Sequence, residues 1–284
     1  MSILITGALG GLGSQFSAWA RNHFSEEVVL TDHGNSTEEG YILADLSRPE
    51  EVNRLIARVK PTITYHLAGS FNNNYITDYE INALSAKYIL DALMSTRCRC
   101  RLLLCGSAAE YGIVTPDENP LRETHLLRPV TLYGLTKALQ TQMAYLYSFA
   151  HQCDVVVGRI FNLFSEGLSE RLFVGRMQKM IQLYTQGHID CIEVGNLESR
   201  RDYVDIQEVI RLFELITQHG ISGEVYHVAS GNPVTMRELL DHMLTSAGLE
   251  WAVIKSSQNL GSHLRTDVPS IYADMTKTYR LSRS

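Results

Sequence analysis

The chain has 284 residues, 45% hydrophobic and 20% charged, with 20 glycines and 7 prolines; that balance excludes disorder, a collagen-like repeat and a coiled coil. Its length suits one large α/β domain or such a domain with a smaller companion. A formal charge of -6 offers nothing to a nucleic-acid backbone or an anionic membrane, so an anionic small ligand would need locally placed Arg or Lys.

SILIT at 2–6 is predicted as the first strand; with no basic leader ahead of it and a Gly-rich turn after it, it does not resemble a signal peptide, which makes the cytoplasm the default. No apolar run approaches the roughly 20 residues of a bilayer span. After the glycines, Phe16, Trp19 or Ala20, and Phe24 share one helical face. EVVLTD at 27–32 and YIL at 41–43 are strand-like, and SRPEEVNRLIARV is predicted as a helix capped by Ser47 with Pro49 in its first turn. TITYHLA at 62–68 is the next strand, followed by a helix from about 78 to 94 with Ile81, Leu84, Tyr88 and Ala92 at helical spacing. RLLLCGS at 101–107 and DVVVGRI at 154–160 complete an alternation that predicts an α/β fold, a Rossmann-type doubly wound parallel sheet.

Beyond Asn162 the pattern is less regular: a helix near 171–184, the strand IDCIEV, the loop GNLESRRDY, a helix over 206–218, the strand VYHVAS and a helix over 236–248. Residues 1–165 are expected to form the sheet domain, interleaved with later segments, and 166–284 mainly a smaller α/β cap. Five cysteines (Cys98, Cys100, Cys105, Cys153 and Cys191) include no second close pair and no His-x3-His to complete a zinc site, so structural free thiols and no metal are expected.

Gly7, Gly10 and Gly13, with Gly11 and Leu12 between the last two, form G-x-x-G-x-x-G between a strand and a helix. In that context glycines let the backbone approach a pyrophosphate, and the helix N-terminus supplies N–H groups and partial positive charge. Asp32 ends the second strand about 20 residues on, where a carboxylate accepts from ribose hydroxyls and repels a 2'-phosphate. NAD(H) is therefore favoured, with NADP(H) left open. Asp45 and Leu46 after the third strand would bracket the adenine, although an Asp there equally starts a helix.

Tyr133 and Lys137, four apart on a predicted helix, project from one face. An ammonium beside a phenol favours the phenolate, which would lower the Tyr133 pKa toward neutrality. An ordinary amphipathic helix presents the same spacing by chance, so the pair gains weight only from its company.

Taken together, TGALGGLG, Asp32, HLAG with Leu67, Ala68 and Gly69, Asn82, GSAAEYG with Ser107, and YGLTK make the chain resemble the extended short-chain dehydrogenase/reductase family, across essentially its whole length. The resemblance implies that Ser107, Tyr133 and Lys137 are catalytic: Ser107 and Tyr133 would hydrogen-bond the reacting oxygen, and Lys137 would hold the nicotinamide ribose and tune Tyr133. It also implies that the glycine turn, Asp32, Leu67–Gly69, Asn82, Tyr133 and Lys137 hold the cofactor.

GRIFNLF, GNLESRRDYVDI, GEVYHVASG and LRTDVP further resemble the branch containing GDP-4-keto-6-deoxy-D-mannose reductase and GDP-mannose 4,6-dehydratase. That implies a nucleotide-diphosphate sugar as substrate, with Ser107, Glu110, Asn162, Arg201 and Arg265 as candidate contacts; two guanidinium forks suit a pyrophosphate. Dehydratases of this kind place an acid two residues after the catalytic Ser/Thr. Here that position is Ala109, and Glu110, offset by one, would point to the opposite side of an extended segment. Keto reduction is thus the leading expectation, and 4-epimerase, 4,6-dehydratase or non-catalytic NAD binding are the alternatives. The family's habit of dimerising through the helices near 78–94 and 130–150 implies a homodimer.

Overall fold

The computed structural model describes residues 2–256 and 268–283. In chain order its strands are β1 Ser2–Thr6, β2 Glu27–Asp32, β3 Tyr41–Leu43, β4 Ile63–His66, β5 Arg101–Ser107, β6 Val155–Ile160, β7 Asn162–Phe164, β8 Ile192–Val194, β9 Arg200–Asp205, β10 Val225–Val228, β11 Pro233–Thr235, β12 Ile254–Ser256 and β13 Ser270–Ile271. The helices are α1 Gly11–His23, α2 Pro49–Val59, α3 Tyr75–Tyr79, α4 Ser85–Ser95, α5 Leu132–His151, α6 Phe173–Thr185, α7 Ile206–His219, α8 Met236–Ser246 and α9 Thr276–Arg280.

Seven strands make a parallel sheet in the order β10-β6-β5-β4-β1-β2-β3. Both faces are covered, so successive strand residues feed different cores. Ile3 and Ile5 of β1 join Phe16, Ala20, Val209 and Phe213 of α1 and α7, while Leu4 between them joins Val52, Ile56, Ile89 and Leu90 of α2 and α4 on the other face. Strand order reverses between β1 and β4, which opens a crevice at the carboxyl edge, where ligands of such sheets bind.

β7, β11 and β13 all pair with β9 in a second, mixed sheet, and β8 pairs with β12. Beside them Val174 and Met177 of α6 and Leu239, Leu240 and Met243 of α8 bury a separate core with Ile192, Val194 and Leu197. Between these pieces the chain returns to the first sheet: α7 starts directly after β9, capped by Asp205 (Oδ1 accepting from Glu208 N, 2.9 Å), and leads to β10 at the sheet edge.

Two local expectations change. The helix expected from residue 78 begins at Tyr75 and contains one π-helical turn, Glu80–Leu84, between α3 and α4. A π turn breaks the 3.6-residue rhythm, so Ile81, Leu84 and Tyr88 are half-buried, Ala92 is buried as expected, and Ala83, Ala86 and Leu90 take the other core positions. Ser47 does not cap α2: its N–H and hydroxyl both donate to Asp45 Oδ1, and Arg48 occupies the cap with Pro49 next.

Candidate active site

The turn after β1 is shaped by what its glycines lack. Gly7 sits at φ +69°, and a Cβ there would lie 2.5 Å from Ala68 N; a Cβ on Gly13 would lie 1.9 Å from the Gly7 carbonyl. Only glycine lets β1, the turn and the segment after β4 meet so closely. Gly10 N donates to Gly7 O (3.1 Å) and Ser14 N to Gly10 O (2.8 Å) as α1 begins. No side chain caps α1 and its first turn holds no acid, so its N-terminal N–H groups have no side-chain acceptor of their own. This donor set, with Gly10 and Gly11 exposed, fits a pyrophosphate.

Asp32, at the end of β2, is tied to the same turn. Its Oδ2 accepts from Leu9 N (3.0 Å) and its Oδ1 from His33 N (2.7 Å), with the His33 imidazole 2.7 Å from Oδ1. Asp45 accepts from Ser47 and pairs with Arg48 at 3.2 Å; partial burial would raise its carboxyl, but these partners outweigh that and hold it below the ordinary range. This is the helix-start geometry. Leu46 is buried in the core between the sheet and α2.

Ser107 ends β5 and caps a short 3-10 turn, Ala108–Glu110, its Oγ accepting from Ala109 N (3.2 Å). α5 reaches this turn because Gly134 packs against the Ala109 carbonyl, where a Cβ would approach to 2.4 Å. Thr131 fixes the start of α5 by accepting from Gly134 N (3.0 Å). Tyr133 is thereby brought beside Ser107, near enough for the serine hydroxyl to favour the ionised phenol.

The expected depression of the Tyr133 phenol is not what this arrangement produces. Burial pushes it above the ordinary range, Cys105, Glu110 and Asp78 add to the rise, and the neighbouring Ser107 hydroxyl opposes it. The Lys137 ammonium donates instead to the Cys105 carbonyl (2.9 Å) and Gln140 Oε1 (2.9 Å), and burial lowers it. Its charge also reaches His66, a fully buried imidazole that desolvation, aided by Lys137, pushes down to about 3.

After β4, Leu67 and Ala68 are half-buried and Gly69 is exposed; a Cβ on Gly69 would stand 3.5 Å from Lys137 Nζ. Asn82, on the π turn, clamps the next residue from both sides: its Oδ1 accepts from Ser70 N and its Nδ2 donates to Ser70 O, each at 2.8 Å. The same Nδ2 reaches Thr136 Oγ1 on α5 (2.9 Å). Asp78, fully buried, accepts from Ser70 Oγ (2.7 Å) and Asn72 N (2.9 Å). The loop so held presents Phe71 edge-on to Tyr133, ring centroids 5.0 Å apart, and Arg171 donates to the Phe71 carbonyl (2.6 Å) and to the Asn72 side chain.

Glu110 is not a surface contact. It lies in a helical turn rather than an extended strand, so its carboxylate folds back to accept from Ser107 N (2.7 Å) and is completely enclosed. Ala109 remains half-exposed beside Ser107. Asn162, on β7, donates to Asp202 O (3.1 Å), and Arg201, on β9, donates to Arg200 O (2.9 Å) and Val268 O (2.5 Å). Asp202 is buried under four donors from Ser230, Gly231 and Ala273. Arg265 lies outside the described residues. The structure therefore joins Ser107, Tyr133, Lys137, Gly69 and Asn82 around one end of α5, with the glycine turn and Asp32 along the same edge; Asn162 and Arg201 stand on the second sheet.

The residues that sequence reasoning passed over are Gln140, Asp78, Phe71 and Arg171. Gln140, one turn beyond Lys137 and buried, carries a recognisable signal, since a polar residue on the inner face of a helix needs a partner.

A model of the NAD dependent epimerase/dehydratase family matches residues 3–229. Among curated relatives, GDP-6-deoxy-D-mannose reductase from Pseudomonas aeruginosa is 24% identical over 93% of this chain and 88% of its own. GDP-6-deoxy-D-talose 4-dehydrogenase from Aggregatibacter actinomycetemcomitans is 26% identical over 98% and 90%. Among solved structures, RMD from Pseudomonas aeruginosa complexed with NADPH superposes with a TM-score of 0.84, at 22% identity, covering 99% of this chain and 91% of that one.

Proposed function

Because the chain belongs to the NAD dependent epimerase/dehydratase family, we propose that it reduces the 4-keto group of a nucleotide-linked 4-keto-6-deoxy sugar, GDP-linked as in the Pseudomonas and Aggregatibacter relatives. The observation that carries this is the Ser107–Tyr133 hydroxyl pair at the carboxyl edge of the sheet, backed by Lys137 and flanked by Ala109. Gly7, Gly10, Gly11, Leu12, Gly13, Asp32, Leu67, Ala68, Gly69, Asn82 and Lys137 would hold the dinucleotide. Asp45 and Leu46 would border its adenine end. Asp32 supports NAD(H) over NADP(H), because a carboxylate repels a 2'-phosphate.

When bound, the nicotinamide supplies the hydride. Tyr133 donates its phenolic proton to the C4 oxygen as charge develops there, and Ser107 donates a hydrogen bond to the same atom. Ser107, the group that favours the ionised phenol, stabilises the phenolate left behind, and Lys137 would hold the nicotinamide ribose. A phenol raised by burial is protonated at neutral pH, which suits a group whose first act is to give a proton. A dehydratase needs in addition a base for C5. Ala109 offers none, and the two carboxylates whose charge reaches Tyr133, Glu110 and Asp78, are both fully buried. Asn162, Arg201 and Arg265 would meet the nucleotide diphosphate, with residues 166–284 serving mainly as its cap. The apolar outer face of α5 supports a homodimer.

Tyr133→Phe removes the proton and leaves the ring in place. It should lower kcat roughly 10²- to 10⁴-fold while NADH affinity, followed by fluorescence titration, stays within about twofold of the parent, since uniform binding is untouched. Undiminished turnover would exclude Tyr133 as the acid.

A further inference from the structure

The interior behind Ser107 holds a second constellation that never meets the crevice. Glu110 and Arg159 are enclosed to 0% and 1% side-chain exposure and pair at 2.8 Å. The carboxylate has two jobs besides. Oε1 accepts from the backbone N–H of Ser107 (2.7 Å), and Oε2 accepts from Thr141 Oγ1 on α5 (2.8 Å), one turn beyond Lys137. A single carboxylate therefore bridges the strand end that carries Ser107 to the helix that carries Tyr133.

The guanidinium that neutralises it is held in turn. Arg159 Nη1 donates to Tyr111 Oη (2.8 Å), with its charge 4.7 Å above the Tyr111 ring. Tyr111 Oη lies 2.5 Å from His227 Nε2, and His227 Nδ1 lies 3.2 Å from the Asp274 carbonyl. A carbonyl only accepts, so Nδ1 carries the proton; burial keeps the imidazole neutral, so Nε2 accepts from the Tyr111 hydroxyl. Thr278 donates to the His227 carbonyl (2.8 Å) and Glu123 accepts from its N–H (3.1 Å). The chain of contacts thus runs from the C-terminal segment through His227, Tyr111 and Arg159 to Glu110, and among its donors the Arg159 Nε–H has no partner.

We propose that Glu110 is a positioning residue, which sets the distance between the Ser107 and Tyr133 hydroxyls by holding β5 to α5, and that the Arg159–Tyr111–His227 relay from the C-terminal segment keeps its charge in place. The proposal rests on the reading of Ser107 and Tyr133 as the pair that binds the keto oxygen. Burying ions is costly, and the cost here falls at the one point where two separated segments must agree to a fraction of an ångström.

Glu110→Gln strands a buried guanidinium and is expected to cost the fold, so the deciding variant is Thr141→Val, which has nearly the same shape and removes only the helix end of the bridge. It should lower kcat about tenfold with KM and Tm little changed, as expected of displaced groups, and Thr141→Ser should restore the rate. The ζ-carbon resonance of Tyr133 in ¹³C-tyrosine-labelled protein, assigned by its loss in Tyr133→Phe, reads the approach of the Ser107 hydroxyl without substrate; it should shift in Thr141→Val and return in Thr141→Ser. Parental turnover with an unmoved resonance would overturn the proposal. If the parent protein itself oxidises no NADH with a keto-sugar, the functional reading fails, and the Tyr133 resonance alone decides the role of Glu110.

Discussion

His66 and His227 are both fully enclosed and both pushed down to about 3, far below the ordinary imidazole value of 6.5, chiefly by burial. The unfolded chain takes up a proton at each below pH 6.5 while the native one does not, so stability should be complete above that pH and fall as pH drops toward 3. Each contributes a slope approaching about 1.4 kcal/mol per pH unit. Glu123, raised by burial, opposes them with one proton of the other sign. The lowered carboxyls, Asp45, Glu118, Glu238 and Asp274, enter only nearer their own range. Urea denaturation at intervals from pH 7 to 4.5 should therefore show a steady loss and net proton uptake on unfolding; a flat profile between pH 6.5 and 5 would contradict the neutral, buried assignment.

At this same scale the sequence was most informative where backbone geometry dictates residue type. Gly7 and Gly13 are readable because nothing else fits the turn, and Ser107, Tyr133 and Lys137 because three separated segments agreed. Glu110 points away from Ala109 as expected but fails as a substrate contact, because a 3-10 turn that GSAAEYG does not reveal folds its carboxylate back onto Ser107 N. Asp78 left little trace, since its partner Ser70 is set by tertiary packing.

Elements were legible to the extent that one periodicity ran through them. Strands β1, β2 and β6 are short and rich in β-branched or aliphatic residues, and they lie where the alternation puts them. The helix across Tyr75–Ser95 was misjudged because its π turn breaks the 3.6-residue rhythm, and that turn is what aims Asn82 at both Ser70 and Thr136. On α5 the inward face carries Thr136, Lys137, Gln140 and Thr141, whereas the outward face leaves Leu135, Tyr145, Leu146 and Phe149 exposed, the last at 79%. An apolar stripe of that length on one helix is what an interface between copies buries. Replacing Leu146 and Phe149 by Glu should convert a dimer to a monomer in sedimentation velocity; if the parent already sediments as a monomer, the homodimer is wrong.

At the scale of the whole molecule, the 284 residues allow one large domain or one with a smaller companion, and the strand-order reversal between β1 and β4 locates its crevice. The return of α7 and β10 to the first sheet was visible only as interleaving, because edge-strand pairing is a long-range event that no local pattern encodes. All the proposed parts, the uncapped N-terminus of α1, Asp32, the Ser107–Tyr133 pair and Lys137, meet at the carboxyl edge of that sheet. The proposed reaction is a net reduction. It is tested most directly by mixing the purified protein with NADH and a GDP-linked 4-keto-6-deoxy sugar and following absorbance and sugar together. One NADH should be oxidised for each sugar reduced, with NADH used in preference to NADPH. Unchanged NADH absorbance with any 4-keto-6-deoxy nucleotide sugar, or epimerisation or dehydration of a sugar without net oxidation of NADH, would contradict the assignment.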